Sequence, residues 1–311
     1  MTTKRCCIVG IPVQSGTHLN GCVMGPDSYR TANLAGAFSE QGASVIDCGN
    51  LEPIPLKPVE HENTNIRHLS EIVAWTKTIK SAAYEAISSY DLPVFIGGDH
   101  SLSAGTVPGV TKHAHEQGRE QFVLWLDAHP DFHNLASTES GNLHGTPVAY
   151  FSGQAGFDGY YPPLQHKVPE KNICMMGVRS IDTAEHSALS KTEIQVHDMR
   201  YIDDHGFPNA LNEFLGRVKK ANGVLHVSLD VDFLEPDIAP AVGTTVAGGA
   251  TYREAHHIME MLHESDLVTS LDLVELNPFL DDRGMTATLM VDLVASLMGR
   301  KVLHHLPRRY G

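Results

Sequence analysis

A chain of 311 residues with 42% hydrophobic content is long enough for one large α/β domain or two modest ones, and its core needs no staples. The formal net charge of -14 argues against a nonspecific binder of nucleic acid or of anionic membrane and is compatible with a small cationic substrate. Nowhere do 18 apolar residues run together, and CCIVGIPV after Lys4 and Arg5 is too short for a secretory segment, so a cytoplasmic protein with no membrane partner is expected.

In chain order, that first apolar run predicts a strand over 6–13, followed by a loop carrying His18. Gly25-Pro26 opens a helix over 26–41, where the missing amide hydrogen of Pro26 costs little in the first turn. A strand over 43–48 and a helix over 66–89 come next. The run LPVFI predicts a strand over 92–96 that ends in Gly97-Gly98-Asp99-His100, and a helix over 102–117 follows. A strand over 122–127 runs into Asp127-Ala128-His129-Pro130-Asp131. The segment 152–170, rich in Gly, Pro and Tyr, reads as a long loop that either shapes a site entrance or is a surface excursion. Strands over 173–178, 194–197, 224–231 and 268–276 then alternate with helices over 183–190, 208–221, 251–264 and 285–298.

This alternation is the mark of a parallel sheet with helical crossovers. The expected fold is α/β: a single domain spanning 1–311, three layers deep, with an eight-stranded, mostly parallel sheet and helices on both faces. Ligands of such sheets bind outside the carboxyl ends of the strands. Four of the predicted strands deliver acids or imidazoles there: His100 after one, Asp127, His129 and Asp131 after the next, Asp230 and Asp232 at a third, Glu275 at a fourth. An uninterrupted strand would aim Asp127, His129 and Asp131 the same way; a bend after Asp127 is expected, because these side chains must serve two ions from different sides. Carboxylates with a minority of imidazoles and no thiolate favour Mn²⁺, Co²⁺ or Fe²⁺ over structural Zn²⁺. Six such side chains, His100, Asp127, His129, Asp131, Asp230 and Asp232, are too many for one ion with an open position and suit a pair, which would acidify a shared water for hydrolysis. The five cysteines show no CxxC spacing and read as reduced core residues.

The set Gly97-Gly98-Asp99-His100-Ser101, Asp127-Ala128-His129-Pro130-Asp131, Ser228-Leu229-Asp230-Val231-Asp232 and Gly248-Gly249 resembles the signature of the ureohydrolases, the binuclear manganese enzymes that include arginase and agmatinase. Gly25-Pro26 with Arg30 and Glu275-Leu276-Asn277-Pro278 fall where that family has matching segments, so the resemblance covers nearly the whole chain. Ser140-Gly141-Asn142-Leu143-His144-Gly145, Gly177-Val178-Arg179 through Asp182 and Glu185, and Thr251-Tyr252-Arg253-Glu254 resemble the arginases within it. The resemblance implies an arginase/deacetylase-like fold, two Mn²⁺ per subunit and a homo-oligomer, trimer or hexamer. It implies His100, Asp127, Asp131 and Asp230 around one ion and His129, Asp127, Asp230 and Asp232 around the other. His144, Glu275 and Asp131 are the candidate catalytic residues: Asp131 as ligand, Glu275 paired with the guanidinium, His144 shuttling the proton to the departing amine. Ser140 and Asn142 would donate to a substrate α-carboxylate, and Asp182 with Glu185 would receive the α-ammonium. The implied reaction is attack of metal-activated hydroxide on the guanidinium carbon of L-arginine, giving L-ornithine and urea.

Three residues depart from the pattern. His133 stands where arginases usually place an asparagine that grips the α-carboxylate; an imidazole can donate there but is bulkier. Ser180 stands where an aspartate is common, and Glu235 where aspartate more often precedes Pro236, a change expected to be near neutral. His133 and His144-Gly145-Thr146-Pro147, a version of the histidine motif that agmatinases often carry, keep agmatinase or another guanidino or formimino hydrolase as the alternative. A catalytically silent metal-binding homologue is disfavoured because none of the six ligands is missing. His113, His115, His256 and His257 read as exposed or core-edge helix residues. His18 is a candidate for the site border. Asp99 reads either as an acid orienting His100 or as a cap. Asp272, two strand positions from Val274, is not expected in the site.

Overall fold

Near-continuous apolar runs such as QFVLWL and ICMMGV bury both faces of their strands, as an all-parallel sheet requires. The structure, a computed structural model, describes residues 3–301. Among these the strands are β1 (Arg5–Ile11), β2 (Ser44–Asn50), β3 (Leu92–Gly97), β4 (Gln121–Leu126), β5 (Ile173–Val178), β6 (Gln195–Asp198), β7 (Val224–Asp230) and β8 (Val268–Val274). They form one sheet in the order β2-β1-β3-β8-β7-β4-β5-β6, with every pairing parallel. The mostly parallel sheet expected from the sequence is thus entirely parallel.

Alternate side chains of the inner strands feed two separate cores. Cys6 and Ile8 pack with the helices Leu34–Glu40, Phe207–Lys220, Tyr252–Ser265 and Met285–Leu297, whereas Cys7, Val9 and Ile11 pack with Leu69–Ser89, Ser103–Glu116 and Pro147–Ser152. Each fully buried Leu, Ile, Val or Phe contributes roughly 1.5–3 kcal/mol of transfer free energy. The central strands β3, β8, β7 and β4 are therefore rigidly held, and their carboxyl ends lie side by side.

The expected helix over 26–41 is two, Gly25–Thr31 and Leu34–Glu40, because Asn33 takes a left-handed φ of 66° that no continuous helix admits. Helices Pro147–Ser152 and Met199–His205 were not anticipated. Segment 152–170 buries Phe157, Tyr161 and Val168 and packs Tyr161 against Tyr150 at 4.9 Å, so it is anchored to the core rather than a free excursion. Cys6, Cys7, Cys22 and Cys174 are buried free thiols, but Cys48 is exposed on the edge strand β2, contrary to a uniform core reading. Among the described residues no helix is long and apolar enough to cross a membrane. His304, His305, Arg308 and Arg309, which the sequence leaves as a solvated terminus or an oligomer contact, lie outside them.

Candidate metal centre and substrate pocket

The sequence ends each central strand in a polar turn, and those turns build the site. Strand β4 stops at Leu126, so Asp127, His129 and Asp131 sit on a turn and not on a strand, as the bend required. Asp131 has a left-handed φ of 47° and Glu275, just beyond β8, one of 65°; a non-glycine residue so held costs of order 1–3 kcal/mol and is characteristic of functional positions. In Gly97-Gly98 a Cβ at Gly98 would lie 1.9 Å from the Val13 carbonyl oxygen, so only glycine lets the β3 turn pass under the first loop.

His100 Nδ1 lies 3.0 Å from Asp127 Oδ2, 3.2 Å from Asp131 Oδ2 and 2.9 Å from Asp230 Oδ2. His129 Nδ1 lies 3.0 Å from Asp232 Oδ2 and 3.5 Å from Asp127 Oδ1. Two ligand groups result, and Asp127 offers one oxygen to each. The other oxygen of Asp230 accepts from the Asp232 amide at 2.8 Å. Buried His100 Nδ1 and Asp127 Oδ2 make no hydrogen bond despite these short approaches, as expected of atoms aimed at a common centre rather than at each other. Burial, with the charge of Asp127, pushes Asp131 and Asp232 above the usual carboxylate range, and burial with Asp232 and Asp127 does the same to Asp230. Burial also presses on Asp127, but His100 and His129 hold it well below that range. A set of oxygens and imidazoles so arranged fits two divalent cations.

Neighbours fix these ligands. The other ring nitrogen of His100, Nε2, pairs with Ser228 Oγ at 2.8 Å, and the ring stacks on Trp125 with centroids 4.0 Å apart. Asp232 accepts from the Ala128 amide at 3.0 Å and from Thr244 Oγ1 at 3.0 Å. The Arg179 guanidinium donates to the Asp232 carbonyl at 2.6 Å and to the Val246 carbonyl, pinning that turn. Such outer partners orient metal ligands. Trp125, Ser228, Arg179 and Thr244 were not singled out as supports from the sequence, and only their nearness to motif residues hints at them.

A cavity of about 220 Å³ opens over the centre, lined by the six ligands together with His133, Ser140, Asn142, His144, Asp182 and Glu185. Glu275 does not line it. It sits behind His144, whose Nδ1 is 2.8 Å from Glu275 Oε1, and that oxygen also accepts from the His100 amide at 2.7 Å. Burial works against a charge on His144, but Glu275 and Asp131 beside it raise its pKa to about 9. Cys22, read from the sequence only as a core thiol, has Sγ 3.7 Å from Glu275 Oε2. His133 Nε2 lies 2.8 Å from Asp182 Oδ2 and 3.7 Å from Glu185 Oε2.

Several side residues are also resolved. His18 borders the pocket, its Nδ1 3.1 Å from Asn142 Nδ2. Asp99 caps the turn through the Ser101 amide and holds the first loop through the Gly16 amide at 2.7 Å, with no bond to His100. Glu235 accepts from the Gly248 and Gly249 amides, both at 2.7 Å, which gives the longer acid a place. Asp272 is buried among Ser103, Thr106 and His226, away from the cavity. No residue of 152–170 lines the cavity; the segment is tied to the loop after Asp131 by Asn134, which donates to the Ala155 carbonyl.

A family model described as the arginase family matches residues 4–299. The arginase of Brucella melitensis is 61% identical over 299 residues, covering 96% of this chain and 97% of its own. That of Agrobacterium fabrum is 57% identical, covering 96% and 92%. The solved arginase structure from Bacillus caldovelox superposes with a TM-score of 0.87 at 34% identity, covering 97% of this chain and all of that one.

Proposed function

The chain belongs to the arginase family, and from that premise we propose that it hydrolyses L-arginine with one water to L-ornithine and urea at its paired metal centre. When bound by His100, Asp127, Asp131 and Asp230 on one side and His129, Asp127, Asp230 and Asp232 on the other, two divalent ions supply Lewis acidity and an acidified water. The donor set, oxygens with two imidazoles and no thiolate, supports Mn²⁺, with Co²⁺ or Fe²⁺ as substitutes.

The remaining work falls to side chains of the pocket. Glu275 supplies the buried negative charge that a guanidinium needs. Its bond to His144 Nδ1 orients the imidazole and leaves Nε2 as the nitrogen that passes a proton to the departing amine. Ser140 and Asn142, which line the cavity, donate to the α-carboxylate, and Asp182 with Glu185 receive the α-ammonium. Such contacts at the amino-acid end would orient the substrate with its guanidinium toward the candidate metal ligands. The assembly is proposed to be a homo-oligomer, trimer or hexamer.

The observation that carries the reading is the two-sided set of ligand atoms around Asp127, with His144 and Glu275 joined beside it. Steady-state urea release from L-arginine and from agmatine at equal concentration tests it. Preference for L-arginine is expected; a clear preference for agmatine would make the chain an agmatinase-type ureohydrolase instead.

A further inference from the structure

Asp182 and Glu185 do not stand alone in the pocket. Asp182 Oδ1 accepts from the Ala184 and Glu185 amides at 2.8 and 2.9 Å, and Glu185 Oε1 accepts from the Phe132 amide at 3.0 Å. Each acid therefore has one oxygen tied to the backbone. The two remaining oxygens, Asp182 Oδ2 and Glu185 Oε2, converge on a single atom, His133 Nε2, at 2.8 and 3.7 Å. The opposite nitrogen, Nδ1, lies 3.1 Å from Ser137 Oγ, which is itself held by the Asn134 amide at 3.0 Å.

Both nitrogens of the ring are thus engaged within the protein. When the Ser137 hydroxyl donates to Nδ1, the ring's own N–H is on Nε2, the nitrogen that lies 2.8 Å from Asp182 Oδ2. No N–H is left over for a substrate carboxylate. The imidazole instead faces two like charges that would otherwise repel across a short gap, one of them on a side chain that is half exposed.

We propose that His133 is a positioning residue for the α-ammonium subsite: its Nε2 edge, 2.8 Å from Asp182 Oδ2 and 3.7 Å from Glu185 Oε2, keeps the two carboxylates side by side so that they present one anionic cradle. This rests on L-arginine being the substrate and adds a determinant of selectivity, for guanidino compounds that carry an ammonium at the far end. His133 acts through the two acids and touches no reacting atom.

The test exploits the shapes of two amides. Asparagine places its amide where Nδ1 stood and so keeps the Ser137 contact, whereas glutamine reaches to where Nε2 stood. For the metal-loaded enzyme, H133N should raise KM for L-arginine about tenfold while kcat stays within about twofold, the loss of the imidazole's contact with the two acids felt in binding alone. H133Q should recover most of that loss. The inhibition constant of 5-guanidinopentanoate, which lacks the ammonium but keeps the carboxylate, should be unchanged in both variants. In a D182A background H133N should have little further effect on KM, because the partner it acts through is gone.

An unchanged KM in H133N would overturn the proposal. So would weakened binding of 5-guanidinopentanoate, which would make His133 a carboxylate reader, or a fall in kcat at constant KM that H133Q does not restore. If the wild-type enzyme releases no urea from L-arginine, the substrate reading fails and this inference fails with it; an active wild type with indifferent His133 variants defeats the inference alone.

Discussion

Asp127 places one carboxylate oxygen in each ligand group, so its removal should be felt at both. D127A is expected to lose tight binding of both ions and at least roughly 10³-fold in activity; two metals per subunit retained in elemental analysis would contradict the site. His144 touches neither group directly and is joined to Glu275. H144N should therefore keep both ions and lose about 10²–10⁴-fold in kcat, as expected of a general acid–base group, with metal content and kcat read on the same sample. The same pair makes a prediction about pH. Burial opposes the charge on His144, yet Glu275 and Asp131 raise its pKa from 6.5 to about 9. A folded value above the unfolded one means that the pair's contribution to stability is complete below the unfolded value and fades as pH rises through the folded one. In urea denaturation of metal-free protein, H144N should be less stable than wild type at about pH 6, and the difference should vanish above roughly pH 10. A gap that widens with pH would reverse the assignment of charge.

At the scale of elements, the site depends on turns that leave the sheet sharply. Gly98 lies under the Val13 carbonyl, and an added Cβ has no room there. G98A is expected to destabilise the fold by about 2 kcal/mol or more and to weaken metal binding through the displaced His100, measured by urea melts and metal titration. The strands were legible in the sequence to within about two residues because strands buried on both faces are written as unbroken apolar runs, and their polar endings mark the site edge. The break at Asn33 was not legible, since an asparagine inside a helical pattern signals a left-handed residue only weakly. Helix Pro147–Ser152 was hidden beside a Gly- and Tyr-rich stretch. The candidate ligands could be read because they cluster in short motifs. Their supports could not, because Trp125, Arg179 and Thr244 reach the centre from separate elements, and the pairing of His133 with Asp182 and Glu185 joins positions about fifty residues apart.

For the whole molecule, the eight-stranded sheet makes the metal centre a part of the fold. The ligands come from the ends of β3, β4 and β7, so ions that bind only the folded arrangement stabilise it by mass action. Stripping them with a chelator should lower Tm, by an amount corresponding to about 4 kcal/mol when free metal had stood at a thousand times its Kd; a Tm indifferent to chelation would mean that the cluster binds nothing tightly. The most direct measurement is a titration of Mn²⁺ into metal-depleted protein, with urea release from L-arginine followed against bound ions per subunit. The paired centre predicts full activity only as the second ion is bound. A plateau at one ion, or no urea from L-arginine at any loading, would contradict it.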